Sequence, residues 1–409
     1  MQRPAQGTLP RLAPWRRVER IAILGAMIAM APMGIDMYLP ALPALERAFA
    51  AGAGQVQLTL STFFLGFALG QAVYGPISDR FGRRPPLFAG LALFAAASVG
   101  CAYAPTVEAL AGLRFLQAVG ACAGMVIARA MVRDLFEVRD AVRVFSALML
   151  VVGLAPILAP LLGGYVLLWF GWRAIFLLLA GFGVAVAAVA WLRLGETRSP
   201  GPAGSLGPAA VLGVYLGMIK SRPFMGYALS GGVTIAGMFA YIAGSPFVFI
   251  ELYGVPAQQF GWLFGANALG FVLAAQVNGR MMRGADPHRV LRLALVAQAG
   301  AGLALLAAAL TGLGGLAGVW LPLFVYISGL GFVMPNATAL AMAPHGENAG
   351  AASALLGVMQ FGLAALAATT LGAIQAHSAA PMAAVVAGAG LLGFAVNRTV
   401  IGNPRRSLP

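Results

Sequence analysis

Apolar residues along this chain fall in long runs, and twelve of the runs reach the roughly 20 residues that a helix needs to cross a bilayer. Their boundaries, read from Gly, Pro and Arg punctuation, predict spans at 21–44, 57–78, 86–104, 107–128, 141–168, 172–193, 223–250, 257–279, 289–311, 317–341, 348–373 and 380–401. Loops between them are short. The fold class expected is therefore an all-α polytopic membrane protein with twelve transmembrane helices.

One interruption is longer than the rest. Residues 195–222 begin with a Pro/Gly/Ser-rich stretch that reads as a linker, and their second part reads as a short interfacial helix. The linker divides the chain into a tail at 1–20, a six-helix half at 21–194, the linker at 195–222, a second half at 223–401 and a tail at 402–409. A basic loop after span two, SDRFGRRPP, has a weaker counterpart after span eight, NGRMMRGADPHR. Two pseudo-symmetric six-helix halves around a central cavity is an architecture of many secondary transporters.

Composition agrees with the pattern. Of 409 residues, 60% are hydrophobic and 9% charged, against about 25% charged in soluble domains. The net charge of +14 would suit nucleic acid, but the arginines sit at span ends, where they set orientation instead of forming a binding stripe. Those before span one, after span two, around the 4–5 loop, between spans six and seven, around the 8–9 loop and after span twelve all fall on one face. The positive-inside rule makes that face cytoplasmic and puts both termini there, in a multi-pass protein of the bacterial inner membrane. Met1–Arg20 is polar and Arg-rich, and the apolar run after it is too long for a cleaved signal peptide, so an uncleaved signal-anchor is expected. Cys101 and Cys122 lie inside apolar runs and read as free thiols; His288, His345 and His377 are far apart. Neither a metal site nor a cofactor is expected. The partners expected are the lipid bilayer, protons and a small molecule, with the chain monomeric.

Two charges stand inside apolar runs. Asp36 lies in IAILGAMIAMAPMGIDMYLPALPAL, Ile21–Leu45, and Arg114 lies in span four. At 1.5 Å per residue, Asp36 is about 22 Å from the start of its span, about 8 Å below the far surface of a 30 Å core. Arg114 comes about 10 Å below the same surface. A charge at such depth costs roughly 2.5–3.5 kcal/mol on insertion scales, which makes it a functional candidate. The two are expected to pair, either as a static clip between spans one and four or as a proton site beside a fixed cation.

Local motifs narrow the function. Gly75-Pro-Ile-Ser-Asp79-Arg80-Phe-Gly82-Arg83-Arg84 resembles the loop 2–3 signature of the major facilitator superfamily. Leu113-Arg114-Phe-Leu-Gln117-Ala-Val-Gly120 resembles its span-four motif, whose arginine is implicated in proton coupling. Gly153-(x)5-Ala159-Pro160-Leu-Leu-Gly163-Gly164 resembles the span-five antiporter motif, with Ala159 where that pattern usually has glycine. With Asp36-Met-Tyr-Leu-Pro-Ala-Leu-Pro and Arg129-Ala-Met-Val-Arg133-Asp134, the chain is similar to the bicyclomycin/chloramphenicol-resistance subfamily of drug:proton antiporters. The likeness covers most of the first half and, more thinly, the second.

That resemblance implies a major facilitator fold and roles for named residues. Asp36 and Arg114 are the proton-coupling pair. Gly75, Asp79, Arg80, Gly82, Arg83, Arg84, Arg129, Arg133 and Asp134 belong to a gating latch, with Asp134 a partner for Arg80 or Arg83 and the start of span eleven, near Glu347–Gly350, on its other side. Gly153, Pro156, Pro160, Gly163 and Gly164 bend span five and allow close helix approach. Tyr38, Gln117, Phe239, Tyr241, Asn267, Tyr326, Asn336, Met359, Gln360 and Phe361 are candidates to line a mixed aromatic and polar substrate pocket. Each of those in the second half is better explained as ordinary packing than as a ligand contact. The function implied is proton-coupled efflux of small amphiphilic antimicrobials (bicyclomycin, phenicol or sulfonamide-like) by alternating access. A proton-coupled transporter of a metabolite such as an amino acid or sugar is the alternative. An enzyme is not expected, because no nucleophile, base and metal constellation converges at one depth.

Overall fold

The computed structural model describes residues 14–136, 138–197, 208–374 and 378–401, without the side chains of 14–17, 138–143, 146, 149, 208–212, 214, 346–350 and 401. Residues 1–13 of the first tail, the second tail, most of the linker's first part and His377 therefore lie outside the described residues. Those described are helices joined by short turns, with no strand among them. In chain order the helices are α1 (Pro14–Asp36), α2 (Leu42–Phe49), α3 (Ala53–Phe81), α4 (Arg84–Ala102), α5 (Val107–Leu135), α6 (Val138–Phe170), α7 (Trp172–Arg193), α8 (Pro208–Lys220), α9 (Arg222–Pro246), α10 (Ala257–Met281), α11 (Pro287–Thr311), α12 (Gly315–Met342), α13 (Ala349–Ala373) and α14 (Ala380–Val396). Twelve spans are long and apolar enough to cross a membrane, the first made of α1 and α2 together. The protein is a twelve-span, multi-pass membrane protein. The helical second part expected of the linker is α8.

Helix ends follow local chemistry. Thr106 caps α5 by accepting from Ala109 N at 3.2 Å. Asp286 caps α11 by accepting from His288 N at 3.0 Å, with Pro287 at the first helical position, where its missing N–H costs nothing. Between α3 and α4 the chain turns at Gly82, whose φ of 86° suits glycine, and Pro85 follows at once. Gly75, expected in that turn, is helical within α3 instead.

The first span is broken where the sequence suggests one continuous helix. α1 stops at Asp36, a 3-10 turn covers Leu39–Ala41, and α2 restarts at Leu42. Proline explains it. Pro40 has no N–H for the Asp36 carbonyl, and Pro43 has none for that of Leu39. Irregular backbone at membrane depth survives only where protein covers it, and Met37, Tyr38, Leu39 and Ala41 are all fully buried.

Among the described residues, the main helix pairs that join the halves are α3 with α13 and α6 with α10. Both are close approaches made by small residues. A Cβ on Gly54 would strike the Gly372 carbonyl, and one on Gly261 would stand 2.7 Å from Leu161 N. Aromatic rings fill the middle, with Phe67 and Phe361 centroids 4.5 Å apart and Phe64 and Phe239 4.6 Å apart. At the end away from the basic face, Arg47 pairs with Glu251 at 3.1 Å across the halves. Outward, α3 exposes Leu65, Leu69, Val73 and Ile77 at four-residue spacing, an apolar stripe suited to lipid.

Candidate functional site

Asp36 ends α1 at the break, 4% exposed, and its carboxylate joins none of the ion pairs among the described residues. The break faces the second half, since its 3-10 turn touches both α9 and α10. Across that seam, Asn267 of α10 donates to the Tyr241 hydroxyl of α9 at 2.9 Å. The Asn267 Oδ1 is buried with no partner, and Tyr241 lies within electrostatic range of Asp36.

Arg114 is fully buried at the same level, as the depth arithmetic requires, but the expected ion pair with Asp36 is not formed. Its Nη1 donates to the Gly34 carbonyl at 2.8 Å and to Gln117 Oε1 at 2.6 Å. Gly34 is in the last turn of α1, so the guanidinium caps the C-terminal end of a broken helix, where the helix dipole favours a cation. Its face is covered by aromatic rings, with Tyr38 at 4.4 Å and Phe63 at 4.3 Å from the guanidinium carbon. Such contacts are worth about 2 kcal/mol when desolvated. Gln117 is held in turn by donating to Ser98 Oγ at 2.7 Å, and Ser98 donates to the Phe94 carbonyl at 2.6 Å. Tyr38 turns its hydroxyl to Thr59. Backbone, amide and rings thus replace the carboxylate expected from sequence. Nε and Nη2 remain buried without partners.

The antiporter-motif glycines meet this same break. A Cβ on Gly163 of α6 would run into the Met37 carbonyl, and one on Gly164 would come within 2.7 Å of the Ala257 carbonyl of α10. Gly153 faces only the Val272 side chain, 2.9 Å from where its Cβ would be. Pro156 and Pro160 sit inside α6 without ending it. Spans four and five therefore grip the Asp36 turn from two sides.

At the basic face, part of the set expected to form a latch gathers round one arginine. Arg83, 4% exposed, is that arginine. It donates to Asp79 Oδ1 at 2.6 Å, Asp134 Oδ2 at 2.9 Å and Ser78 Oγ at 2.9 Å. Burial alone would lower the Arg83 pKa, but the bonds and charges of Asp134 and Asp79 outweigh it and push it up. Of the two arginines expected for Asp134, Arg83 is the partner. Arg80 lies over the Phe81 ring, and Arg84 packs on Trp191 and bonds its carbonyl at 3.1 Å. Arg129 and Arg133 join no ion pair among the described residues. The side chains of Glu347–Gly350, expected opposite the latch, lie outside the described residues.

Sequence reading missed Glu196 and Thr197. The Glu196 carboxylate accepts from the backbone N of Arg83 at 2.8 Å and of Arg84 at 2.9 Å, capping α4, and Thr197 donates to Asp134 at 3.1 Å. An acidic residue just past span six, followed by threonine, was the available signal. Its target, a helix start more than a hundred residues earlier, was not.

Of the expected pocket, Tyr38 and Gln117 serve Arg114, and Tyr241 with Asn267 faces the Asp36 region. Phe239 and Phe361 form the seam between halves, their rings 5.5 Å apart, beside the half-buried Met359 and Gln360. Tyr326 and Asn336 belong to packing instead. Tyr326 is fully buried and donates to the Thr234 carbonyl at 3.0 Å, while Asn336 donates to Asn278 at 2.7 Å.

Comparison with known proteins places this geometry among transporters. The sequence profile described as Major Facilitator Superfamily matches residues 24–369. A Bacillus subtilis protein, the uncharacterized MFS-type transporter YdgK, is 37% identical over 378 residues, covering 90% of this chain and 92% of its own. A bicyclomycin resistance protein homolog of Haemophilus influenzae is 31% identical over 366 residues, covering 88% and 91%. Among solved structures, a D-xylose–proton symporter superposes with a TM-score of 0.71 at 15% identity, covering 94% of this chain and 99% of that one; at that identity the likeness concerns the fold alone.

Proposed function

The chain belongs to the Major Facilitator Superfamily, and on that premise we propose that it is a proton-coupled exporter of small amphiphilic antimicrobials. Bicyclomycin, phenicol or sulfonamide-like compounds are the substrate class, and the protein works by alternating access in the bacterial inner membrane with its basic face and both termini cytoplasmic. One observation carries the reading: a buried carboxylate with no cation of its own, Asp36, sits at a helix break on the seam between the halves.

A carboxylate placed there loses or gains water as the halves rock, so its proton occupancy and the conformation are linked. Arg114 is fixed to the backbone of the same turn and holds the helix end that carries Asp36, without sealing Asp36 in an ion pair. The far end is closed by Gly54 against Gly372 and by Arg47 with Glu251. On the basic face, the Arg83 cluster ties spans two, three and four to the start of the linker, all within the first half. The membrane potential supplies about 2.3 kcal/mol per charge per 100 mV to drive the cycle. The bicyclomycin-resistance relative favours drugs as cargo.

The test uses inside-out vesicles with an imposed proton gradient. Drug addition to wild type releases protons, and Asp36→Asn abolishes that release while leaving a folded protein. Proton-coupled export retained in Asp36→Asn overturns the assignment.

A further inference from the structure

The end of the molecule away from the basic face holds a cavity of about 340 Å3 between the halves. Its walls are the connection from α2 to α3, the far ends of α9 and α13, and the start of α14. That volume is in the range of small-molecule sites, about 300–1,000 Å3. Most of the lining is apolar, from Phe247, Val248, Leu371 and Met382, and three polar side chains interrupt it among the described residues, Glu46, Gln57 and Ser378.

Gln57 is 9% exposed, and what its side chain leaves open is turned to the cavity it lines. An amide in that position offers a carbonyl oxygen and an N–H pair to a ligand. The charge around it is unbalanced. Glu46 has Glu251 and Arg47 as its charged neighbours, and Arg47 is committed to Glu251. Among the described residues, two carboxylates share one cation there, leaving one negative charge at the cavity. The Phe247 ring, half-buried in the wall, offers an aromatic surface of the kind that attracts organic cations.

We infer that this cavity binds an organic ammonium ion with an apolar body, a primary or secondary alkylamine in its protonated form. Glu46 supplies the counter-charge, Gln57 Oε1 accepts an ammonium N–H, and the Phe247–Leu371–Met382 wall takes the apolar body. The site is separate from Asp36 and lies on the opposite face from the Arg83 cluster. Its placement on an exit route rests on the exporter reading above; the binding does not.

Isothermal titration of the purified full chain in detergent, with no gradient, tests it. The probes are 4-phenylbutylamine and its neutral analogue 4-phenylbutanol. The amine binds wild type saturably and the alcohol at least tenfold more weakly. Glu46→Gln weakens the amine tenfold or more, Gln57→Ala weakens it severalfold, and Lys220→Gln, exposed at the basic face, leaves it unchanged. Ala51→Trp, at the rim and outside any helix, fills the cavity and abolishes binding, which serves if Gln57→Ala or Glu46→Gln fails to fold. No saturable binding by wild type, equal binding of the alcohol, or undiminished binding of the amine in a folded Glu46→Gln overturns the site. Failed export with this binding intact overturns the exporter reading and leaves the site standing.

Discussion

Arg114 Nη1 lies 2.8 Å from the carbonyl oxygen of Gly34. This bond joins span four to the last turn of α1, two residues before Asp36, and makes a side chain the C-terminal cap of a helix that proline has cut short.

Lysine at Arg114 keeps the charge but not the planar group that bonds Gly34 and Gln117 while lying against Tyr38 and Phe63. Arg114→Lys is expected to fold and to slow drug-driven proton release by more than tenfold, about 1.4 kcal/mol in the barrier. Initial rates in vesicles measure it; wild-type rates would show that charge alone suffices.

Because Arg114 holds the backbone and not the Asp36 carboxylate, the two side chains act on stability independently. Asp36→Asn and Arg114→Ala are expected to add within about 0.5 kcal/mol in thermal or denaturant unfolding. A coupling of several kcal/mol means a direct pair, and recovery of export in the double variant makes the pair architectural.

Alanine at Gly163 drives a methyl into the Met37 carbonyl, which is fixed backbone, whereas alanine at Gly153 meets only the mobile end of Val272. Gly163→Ala is expected to destabilise by about 1–3 kcal/mol and to displace the Asp36 turn. Gly153→Ala should cost much less. Unfolding midpoints of the two variants, side by side, decide this.

At the basic face, Glu196→Ala leaves two α4 N–H groups without their acceptor, a loss of about 1 kcal/mol. Cysteine labelling should then show more accessible span ends around Asp79 and Asp134, with the drug spectrum unchanged. Arg83 has its pKa raised, so its contribution is complete at every pH below the ordinary arginine range and is lost only as pH rises through the raised value. Labelling should therefore not switch through the Arg83 proton between mildly acid and mildly alkaline conditions.

Arg47 and Glu251 keep 71% and 38% of their side chains in solvent, and exposed pairs contribute about 0–1 kcal/mol. Arg47→Glu collects like charges beside Glu46 and should open the far end to labelling without lowering the unfolding midpoint. Adding Glu251→Arg should restore closure. Raising salt should weaken both effects, since screening acts over about 10 Å at 0.1 M.

What the sequence determined by itself was everything that depends on transfer to lipid or on local turn chemistry. Runs of apolar residues cost nothing in the bilayer core and charges cost much, so the spans, the basic face, the buried Asp36 and the buried Arg114 were all legible from the order of residues. Gly82, Asp79, Arg83 and Asp134 were legible too, since turn and charge occur within or beside a short motif. Partner choice was not. Arg114 had a carboxylate at the right depth, yet took the Gly34 carbonyl, because Pro40 and Pro43 stop α1 and leave a helix end to be capped, an acceptor that no residue name announces. Glu196 found α4 for the same reason: the donors it accepts from are backbone N–H groups, which every sequence contains everywhere. Tyr326 and Asn336 lost their expected place in a pocket because span rotation, set by packing against α9 and α10, turns them toward Thr234 and Asn278. Depth along the membrane is written in one dimension, but rotation about the helix axis and the choice among backbone groups are decided only when the helices meet.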